Sequence, residues 1–142
     1  MTADLTFVDT NVLLYAHDRS AGQKHELARD LLVTLWGSRT GVLSTQVLQE
    51  FYVNATRKLP KPLSPIRART IIHRYATWPV HRIDPADLIA ASELETRHRL
   101  SFWDALIIIA ATRSGATILV TEGLQHARRF GNLLIRDPFR DG

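Results

Sequence analysis

Three acids stand out by their setting: Asp9 in LTFVDTNVLLYA, between two apolar runs; Glu50 in STQVLQEFYV; and Asp104, the only charge between Phe102 and Thr112. Each admits a plain structural reading. Asp is a favoured N-cap and Asx-turn residue, so Asp9 could simply start the helix that follows it. Ser101-Phe102-Trp103-Asp104 is a capping pattern, and an acid in a first helical turn complements the helix dipole. Glu50 falls opposite the apolar stripe of its own segment, as a solvated surface residue would. Taken together the three say more. Carboxylates that converge repel one another, and each has its pKa raised unless a cation joins them. A hard divalent ion, Mg2+ or Mn2+, takes oxygen ligands of this kind. Held so, it can activate water and stabilise the charge that develops on a phosphodiester during in-line displacement.

Convergence requires elements that deliver these residues to one edge. Leu5 to Val8 reads as a short buried strand, followed by a helix from Val12 to Ala16. Leu27, Leu31 and Leu35 recur at helical spacing in Gln23 to Trp36. Residues 41 to 44 read as a second strand, and Val47, Leu48, Phe51, Tyr52 and Ala55 share one face of a helix from Gln46 to Lys58. Ser64-Pro65 and Asp84-Pro85 each supply an N-cap and an N1 proline, for helices through about Ala76 and His98. Pro79 to Ile83 is a candidate short strand. Ser101 caps a further helix that Gly115 ends, and residues 117 to 121 and 133 to 135 read as strands. About five short strands alternating with helices imply an α/β domain, with a mainly parallel sheet covered on both faces. Ligands of such sheets sit outside the carboxyl ends of the strands. Asp9, Ser44 and Thr45, and Thr121 and Glu122 all fall at such ends, with Glu50 two turns or less into the helix after the second. Asp104, in the first turn of the helix before a strand, can face the same edge.

Composition narrows the field from outside. A chain of 142 residues fits one domain with a real core, and it has no cysteine, which excludes a disulfide framework, a thiolate zinc site and thiol catalysis. Fifteen Arg and three Lys against 14 acids give a net charge of +4. Such a surface attracts nucleic acid or an acidic partner, although an arginine excess equally follows from a GC-rich genome. No apolar run is long enough to span a membrane, and MTADLTFVD lacks a basic leader, so a soluble cytoplasmic protein is expected.

The pieces VDTNVLLYA, STQVLQEFYV, LSFWDALIIIAA and LVTEGLQHARRFGNLLIRDPF, in that order and over nearly the whole chain, resemble the successive motifs of PIN-domain ribonucleases, specifically VapC-type toxins of bacterial toxin–antitoxin pairs. The resemblance implies that Asp9, Glu50 and Asp104 occupy the places of the metal-binding acids, with Asn11 and Thr121 as polar active-site residues. It further implies cleavage of single-stranded or looped RNA with Mg2+ or Mn2+, products with 5′-phosphate and 3′-hydroxyl ends, a homodimer, and inhibition by a cognate antitoxin.

One position departs from the family. Its usual T-x-D pattern here reads Thr121-Glu122-Gly123, so the fourth acid is missing from its place. Glu122 is a candidate substitute, although neighbouring residues leaving a strand point in different directions. Two readings follow: a metal-dependent endoribonuclease toxin, or a PIN-like module that binds RNA or its antitoxin without cutting. A haloacid dehalogenase-type phosphatase, suggested by an Asp after the first strand, fails because Asn11 occupies the place of that family's second acid. The basic residues Arg57, Lys58, Arg113, Arg128 and Arg129 fit either a phosphate groove or ordinary solvated faces.

Overall fold

The structure, a computed structural model, describes residues 4–140. Six strands form one sheet in the order β3-β2-β1-β4-β6-β5: β1 (Thr6–Val8), β2 (Gly41–Ser44), β3 (Val80–His81), β4 (Ile118–Val120), β5 (Arg129–Phe130) and β6 (Leu133–Arg136). All neighbours run parallel except β5, which returns antiparallel to β6. In β1 all three residues are buried, as a central strand covered on both faces requires. Its register sets Phe7 between Val42 and Leu119.

Six helices connect the strands: α1 (Thr10–Ala16), α2 (Gln23–Ser38), α3 (Thr45–Arg57), α4 (Pro65–Tyr75), α5 (Pro85–His98) and α6 (Phe102–Arg113). The chain steps outward from β1 to β2 to β3, then crosses back to place β4 on the other side of β1. Right-handed crossovers then put α1 to α4 on one face of the sheet and α5 and α6 on the other. The packing follows that division: α1 lies against α2 and α3, α3 against α4, and α5 against α6.

Caps set the helix starts. Asp9, Ser44, Ser64, Asp84 and Ser101 each accept a backbone N–H from the first turn, and Pro65 and Pro85 occupy N1. Gly115, at φ 85°, follows the α6 C-cap in the left-handed region. Glycine is required at position 41 for another reason: a Cβ there would lie 2.3 Å from the Trp78 ring.

Several expectations shift. The sheet has six strands rather than about five, because β5 is a two-residue strand in a polar stretch without alternation. The third strand shortens to Val80–His81. In α2 the buried face is Ala28, Leu32 and Leu35, while Leu27 is exposed. The small Ala28 lets the helix approach its neighbours on a face one residue round from the leucine stripe.

Candidate active site

The crossing back of the chain between β3 and β4 makes β1/β4 the point where the strand order reverses, and a crevice opens there at the carboxyl ends. Asp9 leaves β1 at this point and Thr121 leaves β4 beside it, tied by a hydrogen bond from the Asp9 N–H to the Val120 carbonyl at 3.0 Å. Asp9 does cap α1: its Oδ1 accepts the Thr10 N–H at 2.7 Å. Its other oxygen, Oδ2, accepts the Thr121 hydroxyl at 2.8 Å. The residue is only 8% exposed. Burial pushes its carboxyl pKa up to about 6; the Thr121 and Thr10 donors oppose the rise, and the charges of Glu50 and Asp104 add to it.

Glu50 is not a surface residue. One turn and a half into α3, it is half-buried, and its Oε1 accepts the Thr10 hydroxyl at 3.0 Å. Its pKa is raised, chiefly by burial and further by Asp104, against hydrogen bonds from Thr10 and Gln46. Thr10 thus joins two acids, giving its backbone N–H to Asp9 and its hydroxyl to Glu50. Asp104 sits in the first turn of α6, where its backbone N–H is satisfied by the Ser101 hydroxyl at 3.1 Å. A carboxylate in so apolar a helix would need a strong partner if it were buried, because unpaired burial of a charge is costly. Asp104 is half-exposed, and no donor among the described residues reaches its carboxylate.

All three acids line one cavity of about 230 Å3, together with Thr10, Asn11, Leu14, Gln46, Asn54, Trp103 and Ile107. No Lys, Arg or His is among them. Asn11 and Thr121 support the edge. The Asn11 carbonyl oxygen accepts the Glu122 N–H at 3.2 Å, its amide makes a long 3.5 Å contact to the Thr121 hydroxyl, and that hydroxyl also accepts the Gly123 N–H at 3.2 Å.

Glu122 is placed elsewhere. Its carboxylate accepts the Tyr15 hydroxyl at 2.8 Å and is paired with Lys24, whose ammonium also lies over the Tyr15 and Phe139 rings. Burial alone would raise its pKa, but these two donors outweigh it and hold it below the usual glutamate range. Glu122 thus does not line the cavity of the three acids, and its carboxylate is engaged by Tyr15 and Lys24. At Gly123 the backbone is not in the left-handed region, and a Cβ would meet only the Asn11 amide nitrogen at 3.8 Å. The place of the missing acid is open and adjoins the cavity.

A divalent cation fits the chemistry of the cavity: the donors are hard oxygens, and two of the acids are held up in pKa partly by their neighbours' charge. The fit is not preformed. Among the described residues, no three His, Asp or Glu side chains stand close enough to make a ready ligand cluster.

Two features escaped the sequence. Gln46 is 4% exposed and reaches across from α3 to the Trp103 carbonyl on α6 at 3.3 Å, with its own carbonyl oxygen buried and unpaired. The sequence carried no signal for it, since a glutamine in the first turn beside Thr45 reads as an ordinary polar position. The basic candidates divide: Arg113 is paired with the buried Asp87, and Arg128 stacks over Phe130 beside His98. None of the five lines the cavity. A larger groove, about 520 Å3, lies between α1, α2 and α4, lined by residues such as Leu32, Trp36, Ile71 and Tyr75 and by no carboxylate.

No curated protein matches the chain by sequence. Among solved structures, a toxin–antitoxin complex from Klebsiella pneumoniae is similar at TM-score 0.71 and 16% identity, over 96% of this chain and 99% of that one. The DNA-bound VapBC of Salmonella typhimurium aligns at TM-score 0.67 and 17% identity, over 96% and 99%. The Mycobacterium tuberculosis toxin VapC20, which cleaves the sarcin-ricin loop, aligns at TM-score 0.61 and 23% identity, over 80% and 86%. At these identities the likeness establishes the fold. The PIN domain family itself matches residues 6–130, a span that runs from β1 into β5 and contains every acid of the cavity. With the β1/β4 crevice and the order of its motifs, that match identifies the chain as a member of the PIN-domain family.

Proposed function

We propose that the chain is a divalent-metal-dependent endoribonuclease, the toxin of a toxin–antitoxin pair, built as a single PIN domain and working in the cytoplasm. The observation that carries this reading is the meeting of Asp9, Glu50 and Asp104, from three separate chain segments, around one cation-free cavity at the strand-order reversal. Asp9 and Asp104 would hold Mg2+ or Mn2+, with Glu50 a third ligand or the residue that positions the attacking water. When bound, the ion supplies an acidified water and offsets charge on the phosphodiester. The chain's own residues do the rest. Thr10 and Thr121 each occupy one oxygen of Asp9, which fixes the carboxylate's plane while leaving lone pairs free on both oxygens. The hydroxyl of Thr10 does the same for one oxygen of Glu50. A glutamate whose pKa is raised is a stronger base toward water than an ordinary carboxylate. RNA cut this way would carry 5′-phosphate and 3′-hydroxyl ends.

The toxin–antitoxin assemblies among the similar structures support a protein inhibitor as partner, and the expected form is a homodimer. The α1/α2/α4 groove, apolar with Arg29 and Arg74 at its sides, suits an amphipathic acidic segment of such an inhibitor. Among the described residues no helix is long and apolar enough to cross a membrane. A second reading, an RNA- or antitoxin-binding module that does not cut, is favoured by Gly123 and by the absence of a ready ligand cluster among the described residues. Purified protein incubated with RNA and Mn2+ separates the two. Cleavage that disappears in Asp104→Asn and Asp9→Asn, with melting temperatures unchanged, is the outcome expected of the enzyme; binding without cleavage in the parent supports the module.

A further inference from the structure

Trp103 is 62% exposed, although tryptophan is the side chain with most apolar area to hide. It adjoins Asp104 in the first turn of α6 and forms part of the wall of the acid cavity. Its base is held. The Gln46 amide donates to its carbonyl at 3.3 Å, and Phe102 packs edge-on against its ring, centroids 5.3 Å apart at 80°. The indole is thus presented from a fixed backbone, and much of its surface is left open.

The chemistry of the cavity says what that surface is for. Its polar walls are the three acids, Thr10 and the amides of Asn11, Gln46 and Asn54, with no cationic side chain. A polyanion beside the acids gains no ion pair from the side chains of the walls and meets positive charge only in the proposed metal ion, so an uncharged contact is what the chain itself can add close to the cut. Every nucleobase has a π-face, and stacking on an aromatic side chain is such a contact. We propose that the indole of Trp103 is the platform on which a nucleobase flanking the scissile phosphate stacks. The proposal rests on the ribonuclease reading and extends it to substrate. Stacking strength grows with ring area, so purines are favoured at that position. A second copy of the chain is the competing occupant. Such a copy would also cover the rim of the cavity that a nucleic acid must enter, and the observations favour the base.

The binding test uses fluorescently labelled r(A)12 and r(U)12 and whole protein with Ca2+ in place of Mg2+ or Mn2+, with Trp103→Ala, Trp103→Leu and Trp103→Phe compared with the parent. Base–aromatic stacking is worth ~1–3 kcal/mol, or about 5- to 150-fold in affinity. Trp103→Ala should weaken r(A)12 binding within that range, and r(U)12 binding less. Trp103→Phe should recover most of the loss, whereas Trp103→Leu, apolar but without a π-face, should not. In Mn2+-dependent cleavage the same variants should raise KM with little change in kcat. Equal behaviour of the Leu and Phe variants, or no effect of Trp103→Ala, overturns the platform. A change of molar mass in light scattering for Trp103→Ala also overturns it and assigns the face to self-association. If the parent binds RNA but does not cut it, the enzyme reading fails alone, and the binding series still decides Trp103.

Discussion

Replacing Thr121 by Val keeps the shape of the side chain and removes the hydroxyl that donates to Asp9 Oδ2 at 2.8 Å. Thr121 is fully buried, so water cannot easily take its place. A hydrogen bond to a charged group contributes ~1.5–3 kcal/mol, which at ~1.4 kcal/mol per pKa unit corresponds to about 1–2 units. The Asp9 carboxyl, already pushed up to about 6, should therefore titrate near 7 to 8 in the variant (roughly, on the same conversion). Mn2+ must displace that proton. At pH 7 the ionised fraction of Asp9 falls from about nine-tenths to between a half and a tenth, so the apparent Kd for Mn2+ should rise by roughly 2- to 10-fold. At pH 9 both proteins are ionised and the difference should shrink. Carboxyl 13C NMR in EDTA reads the pKa directly, and calorimetric Mn2+ titration at the two pH values reads the consequence. Thr121→Ser, which keeps the donor, is the control. The reasoning is refuted if a folded Thr121→Val shows an unmoved Asp9 titration, or a Kd ratio that does not fall with pH. The same shift has a sign in stability. A carboxyl raised from 3.8 to about 6 binds its proton more tightly folded than unfolded. Its contribution in EDTA is therefore fully present below pH 3.8 and lost as pH rises through about 6.

Gly123→Asp should tighten Mn2+ binding about tenfold and raise cleavage at limiting metal, since an added side chain there meets no clash and an acid would supply a further oxygen ligand; Glu122→Gln should leave Mn2+ affinity unchanged, and calorimetry checks both. A structure of the inhibited complex should show an Arg or Lys of the antitoxin within salt-bridge distance of Asp9 or Asp104, the second of which receives no donor among the described residues; an antitoxin that brings no cation within reach of either carboxylate would contradict this. Asp87, fully buried, accepts from His81 at 2.8 Å, from Arg113 at 2.5 Å and from the Asp84 N–H at 3.0 Å. Burial alone would raise its pKa, but these donors win, so its stabilisation holds above the unfolded value of 3.8 and is lost as pH falls through the depressed folded value. Asp87→Asn should destabilise by ~3 kcal/mol, lowering Tm by roughly 10 °C in thermal melts at pH 7.

Local chemistry was legible where a residue's own neighbours in the chain determine its state. The caps at Ser64, Asp84 and Ser101 followed from Pro or acid at fixed offsets, and β1 and β4 from short apolar runs ended by polar residues. The isolation of Asp104 in an apolar helix was visible, but its lack of a partner was not. Long-range relations were hidden. Glu50 looked solvated because helical periodicity compares it only with residues of α3, whereas the Thr10 hydroxyl that holds it comes from α1. The Gln46 contact to Trp103 likewise joins residues 57 positions apart. Glu122 could be doubted from strand alternation, yet what claims it, Tyr15 and Lys24, lies near the other end of the sequence. The strand β5 left no trace because two residues cannot display a period.

The strand order also governs when the crevice can exist. β1 is made first but lies in the interior of the sheet, and its β4 edge stays empty until residues 118 to 120 have been added. Asp104 is supplied late, and Thr121, the donor that settles Asp9, later still. Every shorter nascent chain lacks an acid, its support, or the wall between them. On the proposed ribonuclease reading, translation itself holds the activity back, because the arrangement that would cut RNA is complete only once residue 121 has been added.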